Sequence, residues 1–182
     1  GVVVALKALD VAFGVEDVSV TTFQSLSGRG DAKYPRDVVM GNVYPLHGTV
    51  ERTGEYQHGE LKRIMPDVKR VSVAAYRVPV QRGHLVDVRV TFRCATKPCA
   101  RDIETALSSF DPLRDVPLPS KPRRVIYVKP LDEDEAGPRI GTPRPKDDNE
   151  YEGGMSVCVG NVTCDDELYD VMFCLSVNNV VR

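Results

Sequence analysis

VKRVSVAAYRVPVQRGHLVDVRVTFRC, Val68 to Cys94, decides the fold of this chain. Two runs of alternating apolar and polar residues flank a break, and a period of two is that of strands with one buried face. The break itself is YRVPVQRGH, Tyr76 to His84, where a Val-rich run stops at an Arg, a Pro, a Gly and a His and then resumes. Core strands seldom interrupt themselves with two groups that can carry positive charge. Either this is a turn with polar residues at its rim, or Arg77 and His84 are aimed at something.

Working outward, GVVVALKALDVAFG sets Val2, Leu6, Leu9 and Phe13 on one helical face, with Gly14 as the stop. EDVSVTTFQ alternates as a strand, and SLSGRGDAKYPRD reads as a loop from its Gly, Ser and Pro. EYQHGELKRIM is helical in pattern, with Gly59 as its weak point, and ARDIETALSSF spaces Ile103, Ala106, Leu107 and Phe110 as a helix face. RRVIYV is a short buried strand, the acidic and Pro-rich stretch at about 129–154 is an exposed loop, and MSVCVGNVTC and LYDVMFCLSV pair as a hairpin across DDE. Roughly six strands and three helices follow. The strands come in adjacent runs, which predicts an α+β fold: a mostly antiparallel mixed sheet with helices on one face.

With 182 residues there is room for one domain and a lid. A net charge of −2 with scattered Lys and Arg argues against a nucleic-acid surface, and no apolar run is long enough to span a membrane. The five cysteines are odd in number, form no CxxC pair and mostly sit on apolar runs, so they read as small hydrophobes in a reducing, cytoplasmic setting without a metal site. Neither a GxGxxG nor a Walker-type loop occurs. The Arg-Gly-Asp tripeptide at 29–31 reads as part of a loop, and the acidic run at 132–135 as solvated chain. His47 and His58 have no chemical context and read as surface residues.

Three stretches in register resemble one family. VSVTTFQSLSGRG is similar to the strand and loop that follow the active-site helix of aspartate-β-semialdehyde dehydrogenases, in the style of their archaeal and fungal branch. YRVPVQRGH resembles that family's arginine-to-histidine element, seven residues apart, and PRPKDDNEYEGGMSVCVGNV followed by VNNVVR resembles its closing segment. The order agrees from Gly1 to Arg182. The related reductases of malonyl- and succinyl-CoA share this architecture.

The resemblance implies a glyceraldehyde-3-phosphate-dehydrogenase-like catalytic and dimerisation domain over residues 1–182, without the family's N-terminal dinucleotide-binding domain. Gly1 would follow closely on the family's nucleophilic cysteine, so these residues alone are expected to be inactive as a dehydrogenase. In the family's reaction an acyl phosphate is reduced by NADPH through a cysteine thioester. NADP is therefore the cofactor implied for a full-length enzyme, none is expected for this chain alone, and its binding residues are not identifiable here. His84 would be the acid/base group, and Gln24 would orient the acyl group. Arg77 would clamp a substrate carboxylate through its two parallel donors, and Ser27 and Gly28 would form a tight loop beside the substrate. Glu51 and Glu55 are both candidates to receive a substrate amino group. The family's phosphate-binding lysine has no counterpart in ERTGEYQHGE, where Arg52 is the cation on offer. Partners would be a second copy, as homodimer or homotetramer, and a small carboxylated substrate. The alternatives are a stand-alone non-redox derivative acting on such a substrate, or a purely structural dimerisation module.

Overall fold

The computed structural model describes residues 1–28, 35–48, 51–129, 141–164 and 167–180. Helix α1, Val2–Phe13, leads into strand β1, Val15–Gln24, and a 3-10 turn at Leu26–Gly28. Short α2, Arg36–Val39, and two-residue β2, Tyr44–Pro45, precede α3, Thr53–Ile64. Strands β3, Arg70–Arg77, and β4, His84–Phe92, flank the YRVPVQRGH break, and α4, Ala100–Ser109, follows. The chain ends with β5, Ile126–Val128, short α5, Pro145–Asp148, a 3-10 turn at Tyr151–Gly154, β6, Val157–Thr163, and β7, Val171–Val177.

Among the described residues the strands form a seven-stranded sheet in the order β2-β3-β1-β4-β7-β6-β5. Only β1–β3 and β5–β6 pair in parallel; the four other pairs are antiparallel. The two long runs that are consecutive in sequence, β3 and β4, therefore do not pair: β1 lies between them. That is why their connection is a crossing over the end of β1 rather than a tight hairpin.

Alternation puts Val18 and Val20 of β1, Val86, Val88 and Val90 of β4, and Val171, Phe173 and Leu175 of β7 on one face, where all are buried. Against them pack Leu6 and Leu9 of α1, Leu61 of α3, and Ile103 and Leu107 of α4. Helix α1 stops at Gly14, whose φ of 71° suits a residue without a β-carbon and whose N–H caps Asp10 O at 3.0 Å. A smaller cluster of Leu26, Val39, Leu46 and Ala75 closes over the end of β3.

One expectation needs correction. Residues 141–154 are not exposed loop: Asp148 is buried at 5 % exposure and joins Lys129, itself 7 % exposed, while its other carboxylate oxygen accepts from Ser176 Oγ at 2.6 Å. This long-range polar anchor, absent from the local pattern, folds the segment onto the sheet. Cys99 is exposed at the start of α4, where its N–H donates to Asp102 Oδ2 at 3.0 Å. The remaining loop residues 130–140, the Arg-Gly-Asp tripeptide, the acidic run and the centre of the DDE turn lie outside the described residues. His47 and His58 are exposed, as their sequence context implies. No helix among the described residues is long and apolar enough to cross a membrane.

Candidate functional site

The break after β3 is held strand-like by the end of β1. Val78 N–H donates to Gln24 O at 3.0 Å, Leu26 N–H to Val80 O at 2.8 Å and Ser27 N–H to Gln81 O at 3.1 Å. The chain then reverses at Gly83, with φ of 79°. A β-carbon there would lie 2.4 Å from Asn149 Oδ1, so both the turn and the close packing require glycine.

This crossing brings the ends of four strands together. Gln24 and Arg77 are register partners across β1–β3, and His84 is the partner of Val177 across β4–β7. Thr22 faces Val86, so Gln24 and His84, each two residues further toward the same end, share the helix-covered face. The start of α1 reaches the same place: a β-carbon on Gly1 would collide with Val177 Cγ1. Gly1 O accepts from Val4 N–H at 3.0 Å, and no side chain caps the first turn, so the positive end of the helix dipole is turned to this corner. Beside it a cavity of about 150 Å³ is lined by Gly1, Val3, Thr22, Gln57 and Glu60.

His84 Nδ1 accepts the Ser25 N–H at 3.1 Å, which assigns the ring proton to Nε2. Ser25 Oγ lies 3.3 Å from the same nitrogen. Burial, and then the charge of Arg77, press the His84 pKa down to about 4 against the weaker pull of the Gly83 carbonyl. The ring is thus neutral at pH 7. A serine beside a histidine can signal a nucleophile and its base, but Ser25 is fully buried. Its hydroxyl is a structural neighbour of the ring rather than an attacking group.

Arg77 is 1 % exposed; its Nη1 donates to Ser25 O at 2.7 Å and its Nη2 to Glu51 Oε1 at 3.4 Å. Thr53 Oγ1 donates to the same Glu51 oxygen at 2.8 Å. Of the two candidate glutamates, Glu51 therefore belongs to the cluster. Glu55 is exposed and turns away to accept Gly48 N–H at 3.1 Å and to face Arg52 at 4.0 Å. Gln24 is buried, with Nε2 donating to Thr22 Oγ1 at 3.4 Å, and Thr22 in turn donates to Gln57 Oε1 at 3.3 Å. Ser27 is held by Asn179, whose Nδ2 lies 2.9 Å from Ser27 Oγ, and Gly28 closes the 3-10 turn.

Asn179 escaped the reading of single residues. Its Oδ1 accepts Gly83 N–H at 2.9 Å and lies 3.1 Å from Ser27 Oγ and 3.4 Å from Ser25 Oγ. Nothing local marks it beyond its place just after a strand. Ser25 was equally silent, being one of two serines in a loop-like stretch. A groove of about 680 Å³ opens beside the Gly83 turn, lined by Val80, Arg82, Lys146, Asn149 and Asn178 among others.

A mixed sheet covered by helices on one face thus gathers at its strand ends a half-buried histidine, a buried arginine and the start of a helix, and comparison with known proteins gives this arrangement its class. The profile of the family described as semialdehyde dehydrogenase, dimerisation domain, matches residues 6–182. The chain belongs to the semialdehyde dehydrogenase family, and these residues are its dimerisation domain. It is 32% identical to an aspartate-semialdehyde dehydrogenase of Trichophyton rubrum over 193 residues, which takes in 100% of this chain and 51% of that protein. It is 31% identical to the enzyme of the same name from Archaeoglobus fulgidus, covering 91% of this chain and 46% of the relative. Among solved structures, aspartate semialdehyde dehydrogenase from Candida albicans with NADP superposes at a TM-score of 0.78, with 22% identity over 98% of this chain and 50% of that one. The chain spans about half the length of the curated relatives it matches.

Proposed function

We propose that this chain is the substrate-binding and dimerisation half of an aspartate-semialdehyde dehydrogenase-like oxidoreductase, which reduces aspartyl phosphate with NADPH in amino-acid biosynthesis. The observation that carries the reading is the buried Arg77–Glu51 pair beside His84. Such a pair complements an amino acid's own adjoining charges: the guanidinium takes the α-carboxylate, and Glu51 takes the α-ammonium. The substrate would enter by opening the pair and replacing each partner with one of its own groups.

His84, neutral with its proton on Nε2, suits donation to an oxygen that gains charge as a thiolate adds to a carbonyl. Accepting a proton would use Nδ1, which faces Ser25, and giving up the Nε2 proton would leave an imidazolate, so a hydrogen-bond-donating role for the neutral ring fits better than proton transfer. Gln24 would present its amide to the acyl group from the adjacent strand end. The start of α1 would favour a thiolate placed ahead of it.

NADP supplies hydride chemistry when bound. No strand among the described residues runs through a glycine-rich turn into a helix, which a dinucleotide pyrophosphate requires, so no hydride step is assigned to these residues. In this reading the cofactor belongs to a dinucleotide-binding domain acting beside this one.

The reading is tested by NMR titration of the isotope-labelled chain with L-aspartate β-semialdehyde and with succinate semialdehyde, which lacks the amino group. The first should perturb Arg77, Glu51 and His84 and bind more tightly than the second. Perturbations confined to other residues, or equal binding of the two, would overturn it.

A further inference from the structure

We propose that Asn179 is a positioning residue that holds the His84 ring in one orientation and one tautomer. The inference rests on the reading of His84 as the group that donates a hydrogen bond from Nε2 to the reacting oxygen. Ring orientation depends on two backbone segments, the Gly83–His84 turn and the Ser25–Ser27 turn, which come from different strands. Asn179, from the exit of β7, is bonded to both: Oδ1 accepts Gly83 N–H, while its amide engages Ser27 Oγ and approaches Ser25 Oγ. Ser25 and Ser27 hydroxyls are 3.0 Å apart, so the amide, the two hydroxyls and the imidazole form one chain of contacts ending at Nδ1.

That chain has a preferred direction. The Ser25 N–H is a fixed donor pointing at Nδ1, and a proton on Nδ1 would oppose it at 3.1 Å. The Ser25 hydroxyl could accept from a protonated Nδ1 only by turning its own hydrogen to Asn179 Oδ1 or Ser27. While Asn179 ties the Ser25 and Ser27 hydroxyls to Gly83, the N–H contact dominates and Nε2 carries the proton. Without Asn179 the backbone contacts of Leu26 and Ser27 with Val80 and Gln81 remain, but the side-chain link from Gly83 to the two serine hydroxyls is lost, the hydroxyls are free to turn, and both tautomers become accessible.

The charged groups facing the ring are Arg77 from β3, itself paired with Glu51, and the positive start of α1; Asn179 contributes no charge. Removing its amide therefore acts on orientation and solvation, not on the local field.

The experiment is ring nitrogen NMR of the chain labelled with ¹⁵N-histidine, followed as a function of pH. In the unaltered chain His84 should show the Nε2–H tautomer and titrate well below its ordinary value of about 6.5. Asn179→Ala should populate the Nδ1–H tautomer and raise the midpoint by about one pH unit toward that value. Asn179→Asp, which keeps an acceptor for Gly83 N–H, should retain the tautomer. Should Asn179→Ala fail to fold, Ser27→Ala removes one link of the same chain, and a smaller change in the same direction is expected. An unchanged tautomer and midpoint in the folded variant would overturn the proposal. No step of this test requires turnover, so it can fail while the substrate titration above succeeds, or the reverse.

Discussion

His84 couples the site to folding through its proton. Its folded-state pKa lies near 4, below the ordinary value of about 6.5, so between those pH values the unfolded chain holds more protons than the folded one. Stability from this residue is fully present above about pH 6.5 and declines as the pH falls toward 4. Carboxylates titrate in part of the same window, so the measurement is a difference. Urea denaturation at pH 7.5 and 4.5 should show a larger loss of stability in the unaltered chain than in His84→Gln. Equal losses would remove the histidine from the account. The same scale shows where sequence reading stops. Arg77 and His84 announced themselves by interrupting a strand, and Gln24 by its place in a recognisable stretch. Glu51 and Glu55 looked equivalent four residues apart; only burial against Arg77 separates them. Asn179 acts on residues 96 and 152 positions away, a relation that no local pattern carries.

Among the elements, α3 and α5 make opposite demands on their sequences. Helix α3 tolerates Gly59 in its interior because its contact with the sheet through Leu61 holds it. A β-carbon on Gly59 would meet nothing within 4 Å. Gly59→Ala is therefore expected to stabilise the chain by up to about 1 kcal/mol. A thermal melt should rise by about 2–4 °C, and a fall would show that the helix needs the freedom of glycine here. Helix α5 has only four residues and little propensity of its own. Its place comes from Asp148, which meets Lys129, the Arg144 N–H and Ser176 Oγ at once. Removing one member of a buried pair strands the other, so Asp148→Ala should cost about 3–5 kcal/mol. Chemical denaturation measures that cost, and a loss below about 1 kcal/mol would show the pair to be dispensable. The long strands and the three long helices were readable because their periods repeat over several turns or pleats. This segment was not, since Pro, Asp and Gly describe a loop until a lysine just past β5 gives the aspartate a partner.

For the whole molecule the sheet's second face is the outstanding feature. Phe23 stacks on Tyr76 with ring centroids 6.2 Å apart, and Leu85, Met172 and Cys174 lie half-buried on the same side of the sheet. None of the three long helices packs there. We expect a second copy to cover this face, in keeping with a dimerisation domain. Sedimentation velocity should give a dimer for the unaltered chain and a monomer for Met172→Glu, with the helix-side core intact in both. A monomer at every micromolar concentration of the unaltered chain would place the contact elsewhere. A sheet of mixed direction with helices on one face was readable from the adjacency of the strand runs. The order of the strands was not, because it depends on β1 pairing with both β3 and β4, and pairing leaves no trace within a single run.

The insertion of β1 between β3 and β4 constrains how such chains can diverge. Gln24, Arg77 and His84 meet because three strands of fixed length end at one rim of the sheet. One residue added inside Val15–Gln24 would turn Gln24 to the opposite side or push it past the rim, and the same holds within the other two strands. Additions in the connections away from the paired 78–83 crossing leave the meeting point alone. Kinship within this fold should thus be betrayed less by which side chains persist than by where the chain refuses to change length.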